Sequence, residues 1–249
     1  MTLKRVLDAR DAGWLVAGNM IGAGIFITPG LVAGHLQGTT WPLLAWTLGG
    51  VLALCGAAVY GELGARFPQA GGDYRYLETA FGPFWGFLTG WAAFVVTFSG
   101  AAAVMALVAV DHIATALPQL DDAPGVLRAL VPPLLVLLLT LGNAVGARAA
   151  GRTTVLLTAI PLLGLALLFG IGLLSGSADL GGLDAGRPAG NGGGWSLPLL
   201  ALGAAMVPVY FTYSGWNAAA YLAGEIRKPG VNLARALVLG TFLVTLFYL

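Results

Sequence analysis

Seven apolar runs divide this chain, at 13–31, 41–63, 84–110, 130–147, 154–174, 197–224 and 236–249, with charged residues falling almost entirely between them. Runs near 20 residues match the roughly 30 Å hydrocarbon core of a bilayer when wound as helix. Lipid offers no partner for exposed peptide groups, so helices are the form in which such runs cross. The chain therefore reads as an all-α integral membrane protein with six complete crossings and a seventh cut short. Only 9% of its residues are charged, against about 25% in soluble domains, and this argues against a soluble enzyme.

The first run follows Lys4, Arg5 and Arg10 in the manner of a signal peptide, but it continues into Phe26 and Pro29. That length marks a retained first helix. Placing the amino terminus in the cytoplasm puts ten of the twelve basic residues inside and leaves Arg128 and Arg187 outside, which is the positive-inside pattern. A net charge of +1 conceals this asymmetry and argues against a nucleic-acid partner. The expected location is the cell membrane, with the amino terminus cytoplasmic.

Two connections stand out. The outer segment 175–196 is rich in glycine and should be a flexible link. The inner segment 61–83, GELGARFPQAGGDYRYLETAFGP, carries a turn at Pro68, Gly71 and Gly72. It then predicts a short amphipathic helix, with Tyr74, Tyr76 and Phe81 at the interface. The last run, 236–249, is about two-thirds of a crossing length and ends FLVTLFYL without an anchor. It predicts that the sequence is an amino-terminal piece of a longer transporter.

Inside the first run, Gly22, Ala23 and Gly24 form the centre of NMIGAGIFITPG. Each glycine in a helix interior costs about 1 kcal/mol relative to alanine. A lone glycine in a membrane helix mostly serves close packing, but a second interruption lies in the sixth run, where Pro208 precedes YFTYSGWN. Proline removes a donor, and Ser214 with Gly215 loosens the following turn. Interruptions at corresponding places in two repeats point to a binding site between them. Freed amides at one half-helix suit a carboxylate and freed carbonyls at another suit an ammonium, so a free α-amino acid matches both. Side-chain selection would fall to Phe26, Phe211, Tyr213 and Trp216.

GNMIGAGIFITPG resembles the first-helix signature of the amino acid, polyamine and organocation transporter superfamily, and the 61–83 segment resembles its second helix and inner loop. YSGWNAAAYLAGEIRKPGVNLARAL is similar to the sixth helix of the L-type amino acid transporter branch, including its bacterial members. The resemblance implies a LeuT-like inverted-repeat fold in one transporter domain spanning 1–249. The first repeat would occupy 13–174 and the start of the second 197–249, comprising helix six and part of helix seven. It implies that backbone amides of Ala23, Gly24 and Ile25 receive the substrate carboxylate, while carbonyls of Ile21, Phe211 and Ser214 receive the amino group. Gly22 and Gly215 belong to the breaks. Phe211 matches the family's aromatic gate, and Trp216 and Asn217 its Gly-Trp-Asn element.

The implied activity is secondary active transport of amino acids by alternating access. The alternatives are exchange, transport of polyamines or amines, or a channel-like role. Many relatives carry a lysine in the fifth helix, where Thr158 stands here with no basic residue anywhere in 154–174. Exchange, sodium coupling and uniport stay open. Animal L-type chains bind a heavy chain through an outer-loop cysteine; the only cysteine here is Cys55, inside the second run, so no disulfide-linked heavy chain is expected.

No hydrolase motif occurs, and neither a metal nor another cofactor is expected. Glu62 and Glu225 read as anchors or partners of Arg66 and Arg227, and His35 and His112 as isolated surface residues. Asn143 reads as an interhelical contact, and Trp41, Trp85, Trp91 and Trp195 as interfacial anchors.

Overall fold

The structure is a computed structural model that describes residues 5–22, 24–36, 38–117, 125–144, 147–175 and 196–249. Its helices are α1 (Ala9–Met20), α2 (Gly24–His35), α3 (Thr40–Arg66), α4 (Asp73–Phe81), α5 (Pro83–Ala92), α6 (Ser99–Ala116), α7 (Gly125–Ala144), α8 (Ala147–Leu174), α9 (Ser196–Thr212), α10 (Ala218–Tyr221) and α11 (Pro229–Tyr248). Among the described residues the sole β feature is a parallel bridge between Leu7 and Ile226. Lys4, Ala23, Trp195 and most of the glycine-rich loop lie outside these residues. Of Asn143 and Thr158 only the helical backbone is described.

Three spans are long and apolar enough to cross a membrane alone, and α1 with α2, bent by 47°, makes a fourth. The remaining expected crossings contain shorter apolar helices within α7, α8 and α9. The last helix corrects the sequence expectation. It starts at Pro229 and runs for 20 residues, a full crossing length, because polar Asn232 and Arg235 extend it below the apolar run. Proline suits the first helical position, and the Asn232 side chain donates to the Arg227 carbonyl at 2.5 Å.

The third crossing also exceeds its expected end, reaching Ala116 through a π-helical turn at Ala93–Phe98. Just after that turn, at the start of α6, Ser99 Oγ donates back to the Phe94 carbonyl at 2.6 Å.

The chain forms two compact units, Met1–Arg75 with Leu157–Leu249, and Tyr76–Leu156. In the first, α3 packs on α11 and α9, and α1 packs on α11. Small residues on one face of α3 make this possible: Ala45, Gly49, Ala53, Ala57 and Gly61 recur every fourth position and are buried. A Cβ on Gly50 would fall 2.4 Å from Thr245, and one on Gly49 would fall 2.6 Å from Val209. Helices lacking a hydrophobic drive in lipid associate through such close approaches. In the second unit α6 packs on α7, and Arg128 pairs with Asp111 at 3.3 Å.

The inner segment forms its short helix, α4, after Gly71 and Gly72, both with positive φ. Tyr74 and Phe81 are exposed, but Tyr76 is buried, contrary to its expected interfacial place. It sits on the apolar side of α4, a distinction that aromatic spacing alone does not carry. Tyr221 Oη donates to Asp73 at 2.8 Å, and Glu62 pairs with Arg66. The segment before α1 also bonds the chain ahead of α11: Val6 and Leu7 amides donate to the Glu225 carbonyl, and the Arg227 amide to that of Leu7.

Candidate functional site

Both expected interruptions are present. The first helix ends as Ile21 turns extended (φ −81, ψ 106) after its amide reaches the Ala17 carbonyl. The next helix starts at Gly24. Amides of a first helical turn have no partner inside their own helix, so those of Gly24 and Ile25 face the break. Ala23 precedes them with no side-chain acceptor to cap them.

In the sixth run α9 carries Pro208 internally and stops at Thr212. Residues 213–217 form turns before α10. The Ser214 amide donates to the Phe211 carbonyl at 3.0 Å, which leaves that oxygen a second lone pair. Gly215 has φ +99, a conformation that L side chains rarely adopt.

The two interruptions abut. A Cβ on Gly215 would sit 2.7 Å from the Asn19 carbonyl oxygen, and one on Gly24 would sit 3.0 Å from Thr212 Oγ1. The last turn of α1 therefore presses on the second break, and the first turn of α2 on the end of α9. Gly22 differs: among the described residues, its chain neighbours aside, nothing lies within 4 Å of its added Cβ. No charged residue occurs in 18–30 or 205–222, so a ligand's charges would meet only peptide dipoles there.

Hydroxyl groups that the sequence reading did not single out hold this junction. Thr28 and Thr212 are both buried and their oxygens lie 2.6 Å apart. Thr212 also donates to the Pro208 carbonyl at 2.9 Å. Tyr248 Oη donates to the Met20 carbonyl at 2.9 Å, fixing the end of α1 to α11. The only sequence signal for these was a polar atom inside an apolar run, which membrane helices satisfy against a neighbour.

The expected side chains divide. Phe211 and Ser214 are exposed beside the break, while Asn217 is half-buried at the start of α10 and makes no side-chain cap bond. Trp216 packs on Gly56 and edge-on to Tyr60, with ring centroids 4.9 Å apart. Tyr213 is fully buried, donates to the Trp46 carbonyl at 3.1 Å, and packs between the rings of Trp46 and Tyr248. The aromatic positions expected to select a side chain thus include one that is a core contact. Among the described residues no cluster of histidine, cysteine or carboxylate gathers to hold a metal.

The model of the amino acid permease family matches residues 7–249. The chain belongs to that family. The serine/threonine exchanger SteT of Bacillus subtilis (strain 168) is 32% identical over 247 residues, covering 99% of this chain and 53% of that protein. Asc-type amino acid transporter 1 of Mus musculus is 31% identical, covering all of this chain and 47% of its own length. Large neutral amino acids transporter small subunit 2 of Homo sapiens is 32% identical, with 100% and 46% covered. The permease chain spans about half the length of these curated relatives. Family membership and the apolar helices together make it a multi-pass membrane protein of the amino acid, polyamine and organocation superfamily.

Proposed function

We propose that this permease carries amino acids across the cell membrane by alternating access and is not an enzyme. The substrate binds where the two interrupted helices meet. Amides of Ala23, Gly24 and Ile25 take its carboxylate, carbonyls of Ile21, Phe211 and Ser214 take its ammonium, and Phe211 closes over it. The helices form the first repeat and the opening of the second in a LeuT-like inverted-repeat fold, with the amino terminus cytoplasmic.

The observation that carries this reading is the abutting pair of breaks with open space at Gly22 and no side-chain charge. Three relatives named as amino acid transporters or exchangers support the substrate class. Exchange is the favoured mode: one relative is named an exchanger, and 154–174 offers no basic side chain to stand in for a coupling cation. One relative is named a small subunit. The sole cysteine here lies within α3, which supports assembly without a disulfide-linked heavy chain.

The test is uptake of labelled L-amino acids into proteoliposomes holding the purified protein, with and without internal amino acid. Saturable, stereoselective uptake stimulated by internal substrate is expected, and a nonsaturating ion current would overturn the carrier reading. Gly22→Val localises the site, since its side chain enters open space rather than a helix contact. It should lose substrate binding with an unchanged thermal midpoint. Gly24 is a poorer probe because a side chain there crowds Thr212, which holds the junction.

A further inference from the structure

The groove between α1 and α11 lies apart from the breaks and has its own chemistry. The two helices run parallel: Gly13 lies against Ala236, Val16 against Gly240, and Tyr248 bonds the Met20 carbonyl. Arg10 and Arg235 consequently stand at the same end. Both belong to the lining of a cavity of about 550 Å³. At its base Gly240 lies close against Gly13 and Val16 of α1, and its flanks are Trp14, Leu239 and Leu243, all well exposed.

Both arginines are exposed, and among the described residues neither guanidinium makes a close salt bridge, although the charge of Arg10 acts on the nearby Asp8 carboxylate. The neighbouring carboxylates of Asp8 and Asp11 are turned into the capping box of α1, accepting from backbone amides. From Arg235 to Leu243 the helix rises about 12 Å. That is close to the depth of one leaflet, half of a roughly 30 Å core. A cationic mouth above an apolar trough one leaflet deep has the complement of an amphiphile with an anionic head. The basic asymmetry of the sequence puts this end of the fold in the cytoplasmic leaflet, which holds the anionic lipids.

We propose that an anionic phospholipid occupies this groove, its headgroup phosphate on Arg10 and Arg235 and one acyl chain along Gly13 and Gly240 beneath Trp14. The protein reconstituted with brominated lipids tests this, because bromine on the acyl chain quenches a touching indole. Subtracting the signal of Trp14→Phe isolates Trp14 from the other six tryptophans. Brominated phosphatidylglycerol should quench Trp14 at lower mole fraction than brominated phosphatidylcholine. Each arginine should account for about a fivefold preference, so Arg235→Gln loses one such factor and the double variant with Arg10→Gln loses both. Equal quenching by the two lipids, or a preference that survives the double variant, would overturn the proposal. Absence of Trp14 quenching by either lipid would overturn it too, since the groove would then be filled by protein.

Discussion

Replacing Gly215 with alanine tests whether the two breaks are held against each other. The residue has φ +99, and a non-glycine residue in the left-handed region costs roughly 1–2 kcal/mol. The new methyl would also lie 2.7 Å from the Asn19 oxygen, 2.9 Å from its carbonyl carbon and 3.2 Å from its Cβ. Two of these atoms are backbone, so no rotamer change relieves the clash. Overpacking of this kind adds about 1–3 kcal/mol. The sum, about 2–5 kcal/mol, corresponds to a thermal midpoint lowered by roughly 4–20 °C at the scaling for chains of this size. The assay is thermal unfolding of the purified protein in detergent, with Gly22→Ala as the control, because that methyl meets nothing. A Gly215→Ala protein as stable as the control would refute the abutting geometry.

Other perturbations separate the contacts around the junction. Thr212→Val should cost more than Thr28→Val. The first leaves the buried Thr28 hydroxyl only a long 3.5 Å contact to Pro208, a loss of about 1–3 kcal/mol; the second leaves the Thr212–Pro208 bond intact. Equal losses in denaturation would contradict that order. Tyr248→Phe removes the bond to the Met20 carbonyl and should cost about 0.5–1.5 kcal/mol. It should also speed amide exchange at the end of α1, and unchanged exchange there would argue against the tether. Asp8 has its carboxyl held below the usual range, chiefly by the hydrogen bond from the Asp11 amide. A lowered folded-state value means its stabilisation is present above the unfolded value and lost as pH falls through the folded one. Asp8→Asn keeps an acceptor for the cap but does not titrate, so its midpoint should vary less between about pH 5 and pH 2 than that of the parent.

The apolar helices and both breaks were legible because they depend on local chemistry. Apolar length sets a helix in lipid, and a glycine pair or a proline followed by Ser214 and Gly215 weakens it. Legibility faded where the outcome depended on which side of a helix meets which neighbour. Membrane helices are apolar on most faces, so the periodic contrast that marks a buried stripe in soluble helices is faint. Tyr213 could thus be placed beside a break but not known to point into the core toward Trp46. The full length of α11 was hidden for a related reason: Asn232 and Arg235 interrupt the apolar pattern although both lie inside the helix. The proposed ligand contacts of Ile21, Ala23, Gly24, Ile25, Phe211 and Ser214 are what the family resemblance implies for the breaks, whereas the hydroxyl pair of Thr28 and Thr212 needed the fold to bring oxygens 184 residues apart in sequence to within 2.6 Å.

The interruptions also divide the packing. The first half of the interrupted crossing, α1, packs on α10 and α11, while its second half, α2, packs chiefly on α9. A continuous helix would couple those partners through one rod. The bend of 47° instead gives each half its own neighbours, and each half carries its own polar tie: Thr28 to Thr212 on one side, Met20 to Tyr248 on the other. Packed surfaces resist continuous deformation and change by discrete shifts, so strain applied at the junction concentrates in the few residues belonging to neither half. Gly22 has room for an added Cβ among the described residues. Gly215 has none, since an added Cβ would meet the Asn19 backbone at 2.7 Å. If the proposed transport cycle bends these crossings, that difference in room favours movement at Gly22 over movement at Gly215.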